Sequence, residues 1–366
     1  MAKPCRTEEI PSLECAASSL EYEASLAPDT GDLRMVLLGK TGAGRSSSGN
    51  TILGRQAFRV DISPCSVTRE CERQSGSVSG KNLCVVDTPG FFDTNLSSQE
   101  VTAEVSRCVA LSAPGPHAFL VTLQPGRFTQ EERGVLEWVK ATFGPGALRY
   151  TVVLFSWGDQ LQGKSMEKFL SECQELQEFV SSCQGGYHVL DNSSKTTDCT
   201  QVSELLEKVY KMVLQNGGGC YSNKMYQEAE RAIQEFQESI LGERRMCLMR
   251  QEEGRMKTGS ETRGPEAVKL MRMDEEERRR EEEAARKKAE KLFWCELVSA
   301  LGKGAAEGAG VTSKDKGKPV KKVKAIERAA VLATTPLSIT SAAKVVGGAV
   351  REGSKVLYKH RKTLLH

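Results

Sequence analysis

The sequence predicts an α/β fold: a mostly parallel six-stranded sheet with helices on both faces, then a helical extension and a basic, partly disordered tail. Three observations carry this. Between residues 34 and 215, short apolar runs alternate with segments of helical periodicity, the pattern of a parallel sheet whose crossovers are helices. The first run, RMVLL (34–38), leads at once into a glycine-rich turn, GKTGAGRSSSGNTILG (39–54). A later run ends in DTPG (87–90), which sets a carboxylate and a glycine at the mouth of a buried strand.

In chain order the strands fall at residues 34–38, 68–78, 82–86, 117–123, 150–155 and 187–190. Helical periodicity occupies 46–53, 98–111, 130–141, 166–181 and 201–214. QNGGG (215–219) stops the last of these and closes a domain spanning 31–216. Before it, residues 1–30 hold few long apolar runs and read as a flexible arm. After it, 217–257 is a helical extension, with Met225, Ala229, Ile233, Phe236 and Ile240 at helical spacing. TGSETRGP (258–265) interrupts that helix. The region 258–300 contains DEEERRREEEAARKKAEKLF (274–293), charged all round with i,i+4 pairs of opposite sign, and reads as a solvated helix or weak coiled-coil arm. Residues 301–366 form the tail.

Composition sets further bounds. A chain of 366 residues, 39% apolar and 27% charged, describes a soluble protein of roughly two or three domains. The net charge of +3 hides an asymmetry: residues 301–366 carry 14 Lys+Arg against 4 Asp+Glu, and the first 300 carry 37 against 44. The 12 cysteines are scattered singly, with no C-x-x-C pair and only 4 histidines, so no zinc site is expected. The N-terminus lacks a basic start followed by an apolar core. The thiols therefore read as reduced and the protein as cytoplasmic. No stretch reaches ~18 consecutive apolar residues, so no spanning helix is expected.

The glycine-rich turn is almost G-x-x-x-x-G-K-[ST], a loop that holds phosphates through its backbone. Its candidate contacts are Gly39, Lys40, Thr41, Gly42, Ala43, Gly44, Arg45, Ser46 and Ser47. The glycines let N–H groups point inward, and the following helix adds its positive end. Ser46 supplies the hydroxyl for Mg²⁺. Where the motif has lysine, this chain has Arg45. The positive charge survives, but a planar fork replaces a compact ammonium. Phosphate binding is expected to persist, weakened, with hydrolysis affected more, which makes Arg45 a candidate catalytic residue.

Downstream, Asp87 would hold Mg²⁺ through water and the Gly90 N–H would sense a γ-phosphate. Thr68, in CSVTRE (65–70), offers a hydroxyl to complete the metal shell, with Ser66 competing for that place. Asp159, in VVLFSWGDQL (152–161), is placed to accept from N1–H and the 2-amino group of guanine. Trp157 either stacks beside the purine or anchors on the surface. Asn192, in YHVLDNSS (187–194), either approaches the base edge or closes a turn. The set calls for GTP or GDP with Mg²⁺.

Together with APGPHAFLVTLQPGRFTQEE (113–132), these motifs resemble the GIMAP family, the GTPases of immunity-associated proteins with an AIG-type guanine-nucleotide-binding domain. The APGPHA…GRFT box is the most specific of them, and NGGGCYSNKMYQEAE (216–230) is also similar. The likeness covers roughly residues 30–250. It implies a Ras-like P-loop GTPase domain with the extension packed along it, Mg²⁺-dependent GTP binding, and homo-oligomers formed through the nucleotide-binding face. It also implies residence on intracellular membranes and a part in lymphocyte survival. Two departures stand out: Arg45, and Ser156-Trp157 where the family has Thr followed by a basic or His residue. As in the family, Phe91 follows Gly90 where Ras-like enzymes place the glutamine that orients the attacking water, so hydrolysis in cis is expected to be slow. Arg127 either reaches a partner's γ-phosphate in trans or is a solvated loop arginine. A hydrolysis-deficient scaffold and an interaction protein acting through its helices are the alternatives.

The basic tail suits an anionic membrane surface, where each cation contributes about 1 kcal/mol. Nucleic acid is not expected, because no aromatic stacking platform accompanies the charge. A purely solubilising tail is the remaining reading. Pro336 and the Thr/Ser content argue against a long spanning helix there.

Overall fold

Strand β1 (Leu33–Leu38) is buried at every position but Arg34, as a strand covered on both faces must be. The computed structural model describes residues 32–61, 66–91, 96–193, 200–257, 275–308 and 337–364. The expected N-terminal arm, the interruption at 258–265 and tail residues 309–336 lie outside them.

Six strands form one sheet in the order β2-β3-β1-β4-β5-β6. β2 (Glu72–Val78) runs antiparallel to β3 (Lys81–Asp87). The two join through Ser79 and Gly80, both at positive φ (51° and 74°), the backbone of a tight primed hairpin turn. β4 (Ala118–Leu123), β5 (Thr151–Phe155) and β6 (Tyr187–Val189) extend the sheet in parallel. α1 (Arg45–Leu53) and α6 (Thr200–Gln215) cover one face, where Met35 and Leu37 meet Ile52, Leu205 and Val209. α2 (Ser98–Ser112), α3 (Gln130–Phe143), α4 (Met166–Ser171) and α5 (Gln174–Ser181) cover the other, where Val36 and Leu38 meet Val105, Val109, Val135 and Val139. This is the Ras-like P-loop fold that the sequence predicts. The GRFT box caps α3: the Thr129 hydroxyl accepts from the Glu132 N–H, and Glu132 accepts in return from the Thr129 N–H.

Two details differ from the expected elements, and a third, the helix stop at 215–219, is as expected. The strand expected at 68–78 begins only at Glu72; residues 66–71 instead turn across the end of α1 and carry Thr68 to Ser46. The helix expected at 166–181 is two helices, broken where Cys173 is extended (φ −140°, ψ 100°). Met166 and Leu170 share one stripe, but Leu176, Phe179 and Val180 lie out of phase with it. The break rephases the apolar face so that both halves reach the core. The segment after α6 turns through Gly217 and Gly218 (φ 93° and 82°), whose N–H groups close onto Leu214 and Val213. Only glycine adopts that backbone without strain.

Beyond the turn, α7 (Lys224–Lys257), α8 (Glu275–Gly308) and α9 (Leu337–Leu364) form a third layer over α2 and α3. Asn223 opens α7, accepting from the Tyr226 N–H at 3.0 Å and donating to the Phe143 carbonyl at 2.6 Å. The region expected as a solvated helix or weak coiled-coil arm is a packed helix: Ala285, Ala289, Phe293 and Leu297, four apart, are buried, the last three in the core of the larger face. Arg73 of β2 pairs with Glu290 at 2.7 Å, and Arg286 with Glu230 of α7 at 2.6 Å. The tail, expected to be partly disordered, contains a docked helix. Ala342, Val346 and Val350 of α9 are buried, and Gly353 lets α9 approach α3 so closely that a Cβ there would collide with the Thr142 hydroxyl. Packing of small residues outweighs the weak helix propensity of its Ser, Thr, Val and Gly. Among the described residues no helix is long and apolar enough to cross a membrane.

Candidate functional site

The carboxyl ends of β1, β3, β4, β5 and β6 all open on one edge of the sheet, and β1 is where the strand order reverses. Ligands of open α/β sheets bind at such a switch point. Each strand end delivers part of the predicted set.

From β1 comes the glycine loop. Gly39 sits so close to β4 that a Cβ on it would lie 2.6 Å from the Thr122 carbonyl. Gly44, at φ 84°, is the N-cap of α1; no side chain caps that helix and no acidic residue stands in its first turn. Ser46 and Ser47 occupy that turn. The positive end of α1 therefore suits an external anion. Thr41 is exposed beside Gly90, whose own Cβ would collide with the Thr41 hydroxyl.

Arg45 is buried. Its Nη1 donates to the carbonyls of Gly39 and, at 2.6 Å, Lys40, while Nε donates to the Thr88 carbonyl at 3.0 Å. The guanidinium therefore holds the loop from within and ties it to the end of β3. Nε also stands 4.0 Å from Asp87 Oδ1. Lysine, with one nitrogen, cannot reproduce a fork that grips carbonyls on two segments.

β3 and the segment before β2 complete a cluster of oxygens. Ser46 Oγ donates to Asp87 Oδ2 at 2.6 Å, and Thr68 Oγ1 lies 3.0 Å from Ser46 Oγ and 3.2 Å from the same carboxylate oxygen. The predicted metal residues are thus brought together. The other carboxylate oxygen, Asp87 Oδ1, is buried with no hydrogen-bond partner. Burial pushes the Asp87 carboxyl above its usual range, against the opposing pull of Arg45 and the hydroxyls of Ser46 and Thr68. Two hydroxyls and a carboxylate with one oxygen orphaned fit a hard divalent cation such as Mg²⁺. Ser66 takes no part in the cluster; its hydroxyl donates to the Thr68 carbonyl at 2.9 Å and shapes the turn. The adjoining cleft, of about 850 Å³, is lined by residues 66–72 with Phe58, Arg59, Asp61, Asp87 and Arg107.

Phe91 turns away from this cluster. It is buried and stacks on Trp138 of α3 at 4.7 Å. Its place after Gly90 therefore supplies the core rather than the site.

At the end of β5, Ser156 is buried and donates to the Ala43 carbonyl at 2.8 Å, joining the strand to the phosphate loop. Trp157 is in the left-handed region (φ 56°, ψ 51°), an uncommon backbone for so bulky a side chain. The indole Nε1 lies 3.0 Å from where a Gly44 Cβ would stand, so Trp157 lies against the phosphate loop. Asp159 is exposed in the short 3₁₀ turn Gly158–Leu161, with no partner for its carboxylate among the described residues. Asn192 is not left open at the edge. Its amide donates to Ser48 Oγ at 3.1 Å and accepts from Thr51 Oγ1 at 3.2 Å, which ties it to α1. The short polar residues of α1 take up both ends of the amide.

The loop after β4 carries the predicted Arg127. Gln124 donates to the Gly42 carbonyl at 2.9 Å. Arg127 is exposed, with no hydrogen-bond or ion-pair partner among the described residues. Lys40 pairs at 2.9 Å with Glu132, which is buried. Sequence reasoning missed Ser156, Gln124 and Glu132 as partners of the loop. Only Glu132 left a signal, as the fourth residue of a T-x-x-E cap.

A sequence model described as the AIG1 family matches residues 33–240. Immune-associated nucleotide-binding protein 9 of Arabidopsis thaliana is 35% identical over 228 residues, covering 60% of this chain and 66% of that protein. Human GTPase IMAP family member 8 is 33% identical over 194 residues, 52% of this chain and 29% of that protein. The chain thus spans just under two thirds of the first relative and under a third of the second. Among solved structures, Arabidopsis Toc33 in complex with GDP and Mg²⁺ superposes with a TM-score of 0.41 at 16% identity, covering 54% of this chain and 88% of that one.

Proposed function

The chain belongs to the AIG1 family, and from that premise we propose that it is a guanine-nucleotide switch that binds GTP or GDP with Mg²⁺ and hydrolyses GTP slowly. The observation that carries this reading is the meeting of Ser46, Thr68 and the half-unpaired Asp87 beside an uncapped helix end. Bound there, Mg²⁺ would be held by those three residues and would neutralise phosphate charge. The loop backbone orients the phosphates, and Arg45 fixes the loop's shape from within. Trp157 and Asp159 face the base, the carboxylate accepting from its two donors.

Slow turnover follows from Phe91. With that side chain stacked in the core, it cannot orient the attacking water. A group from a second molecule is then the source of rate, and Arg127 stands exposed on the nucleotide edge. Such an arginine contributes roughly 10³–10⁵ in rate. Self-association across the nucleotide face belongs to this reading. The test is phosphate release over a protein dilution series. Specific activity should rise with concentration, and Arg127→Ala should flatten the rise while nucleotide affinity holds. Concentration-independent turnover, equal in the variant, contradicts the trans mechanism.

A second reading, a scaffold that binds nucleotide without turnover, is favoured by Arg45, whose fork is engaged by loop carbonyls. We also propose a peripheral contact with anionic membranes. Its support is the exposed face of α9, where Lys344, Arg351 and Lys355 point outward beside one acid, Glu352, which pairs with Lys355 at 2.6 Å, while the apolar face is docked. Pelleting with anionic vesicles should be lost at 1 M salt, where screening shortens to ~3 Å, and on replacing those three residues with Ala. Salt-resistant pelleting contradicts it.

A further inference from the structure

The loop between β4 and α3, residues 124–129, is anchored on three sides. At its start Gln124 holds the Gly42 carbonyl at 2.9 Å. On its flank Phe128 packs edge-on against Phe179 of α5 at 5.3 Å, with Arg133 over its ring at 5.7 Å. At its end Glu132 Oε2 accepts from the Thr129 N–H at 2.8 Å and the Thr129 hydroxyl at 3.0 Å, while Oε1 meets Lys40 Nζ at 2.9 Å. Between these anchors only Gly126 and Arg127 are exposed.

The Lys40–Glu132 pair is unlike the surface ion pairs of this chain. The Glu132 side chain is 5% exposed and the Lys40 side chain 25%, so the pair is poorly screened and geometrically fixed. A buried carboxylate needs its cation, because removing one partner leaves an uncompensated charge. Lys40 lies within the phosphate loop, where a lysine's charge would ordinarily be read as a phosphate contact; here it is directed sideways, to the start of α3. With Gln124 on Gly42, the pair makes the phosphate loop and the Arg127 loop one rigid unit.

We propose that Lys40 and Glu132 form a positioning strut that sets the Arg127 loop against the phosphate loop, so that Lys40 serves turnover through this loop and not as a phosphate ligand. This rests on the reading of the protein as a switch completed by a second copy. In that reading a small displacement of the loop matters more than its charge. A misplacement of about 1 Å can cost 10²-fold in rate while binding is retained.

The test uses the full-length chain and Glu132→Gln. Glutamine keeps the reciprocal cap with Thr129, since T-x-x-Q caps as T-x-x-E does, and removes only the ion pair. In the concentration-activated reaction, kcat should fall about ten- to hundredfold, with KM and the affinity for a labelled guanine nucleotide held within about threefold. Glu132→Asp, which keeps the charge, should recover part of the loss. Adding Lys40→Met to Glu132→Gln should cost nothing further in turnover, the signature of two residues acting as one unit. A further loss of nucleotide affinity in that double variant would make Lys40 a phosphate ligand and overturn the proposal. Amide hydrogen exchange without nucleotide separates the strut from the switch reading. Glu132→Gln should speed exchange in residues 126–133 and 40–46 together, whether or not the wild type turns over GTP. Unchanged exchange in both segments would overturn the strut; failure of the wild type to bind guanine nucleotide would overturn only the switch.

Discussion

The carboxyl edge of the sheet and the helical layer over α2 and α3 both bury polar groups, and they treat them in opposite ways. In the layer the buried charges are matched: Glu290 meets Arg73 at 2.7 Å and Arg286 at 3.4 Å, and Glu230 meets Arg286 at 2.6 Å. Arg107 lies 5.0 Å over the ring of Trp294. At the edge, bonding capacity is left over. Asp87 Oδ1 has no donor, α1 has no cap, and the Asp159 carboxylate has no partner among the described residues. An orphaned buried acceptor costs roughly 1–3 kcal/mol, and of the orphaned buried side-chain atoms among the described residues (Asp87 Oδ1, Thr122 Oγ1, Thr142 Oγ1 and Asn216 Oδ1) only that of Asp87 belongs to a charged group. The layer's charges are matched; the edge combines matched pairs, Lys40–Glu132 and Arg45–Asp87, with one orphaned carboxylate oxygen.

This contrast is open to attack from both sides. The largest effect belongs to the layer. Phe293 is fully buried in α8, so Phe293→Ala should lower unfolding free energy by about 3–5 kcal/mol in urea titration. Guanine-nucleotide affinity, measured well below the midpoint, should stay unchanged. A parallel loss of affinity would mean that the two regions are one unit.

At the edge, Ser46→Ala should reduce nucleotide affinity in Mg²⁺ by roughly 10- to 100-fold, the weight of a hydrogen bond or ligand to a charged group. Chelation with EDTA should weaken wild-type binding and leave the variant's almost unmoved. Equal EDTA sensitivity in the two would remove Ser46 from the metal shell. The smallest effect tests the tail. Gly353→Val should cost about 1–3 kcal/mol by overpacking against Thr142 and Trp138. Faster amide exchange in α9 with little change in β1 and β4 would show α9 as a separable outer element; exchange rising everywhere would show it as part of the core.

The two regions were also unequally legible in the sequence. At the edge, chemistry demands particular residue types at fixed spacing, so the glycines of residues 39–44, Ser46 and Asp87 could be placed together directly, and Asp159 at the end of β5. What escaped was tertiary. Ser156 stood out only as a departure from the family's Thr, and it holds Ala43; Asn192, read as approaching the base edge or closing a turn, instead bonds Ser48 and Thr51. Pairing across such sequence distance leaves no local pattern. The layer was nearly opaque. In α8 the apolar face is two alanines, a phenylalanine and a leucine at every fourth position, hidden among charges. Some of those charges are themselves half-buried ion pairs, so counting them as solvated misplaced the helix. In α9 close approach depends on glycine and alanine, which carry almost no hydropathy signal.

The central claim, that the unmatched groups at the sheet edge form a guanine-nucleotide site, is tested most directly by titrating the full-length protein with labelled GDP, XDP and ADP in Mg²⁺, for the wild type and Asp159→Asn. The wild type should bind GDP and discriminate against ADP. The variant should lose guanine affinity by about tenfold or more, the worth of a charged acceptor opposite two donors, and turn its preference to XDP. Absence of binding, or equal affinity for guanine and adenine in the wild type with no change in the variant, would contradict the account.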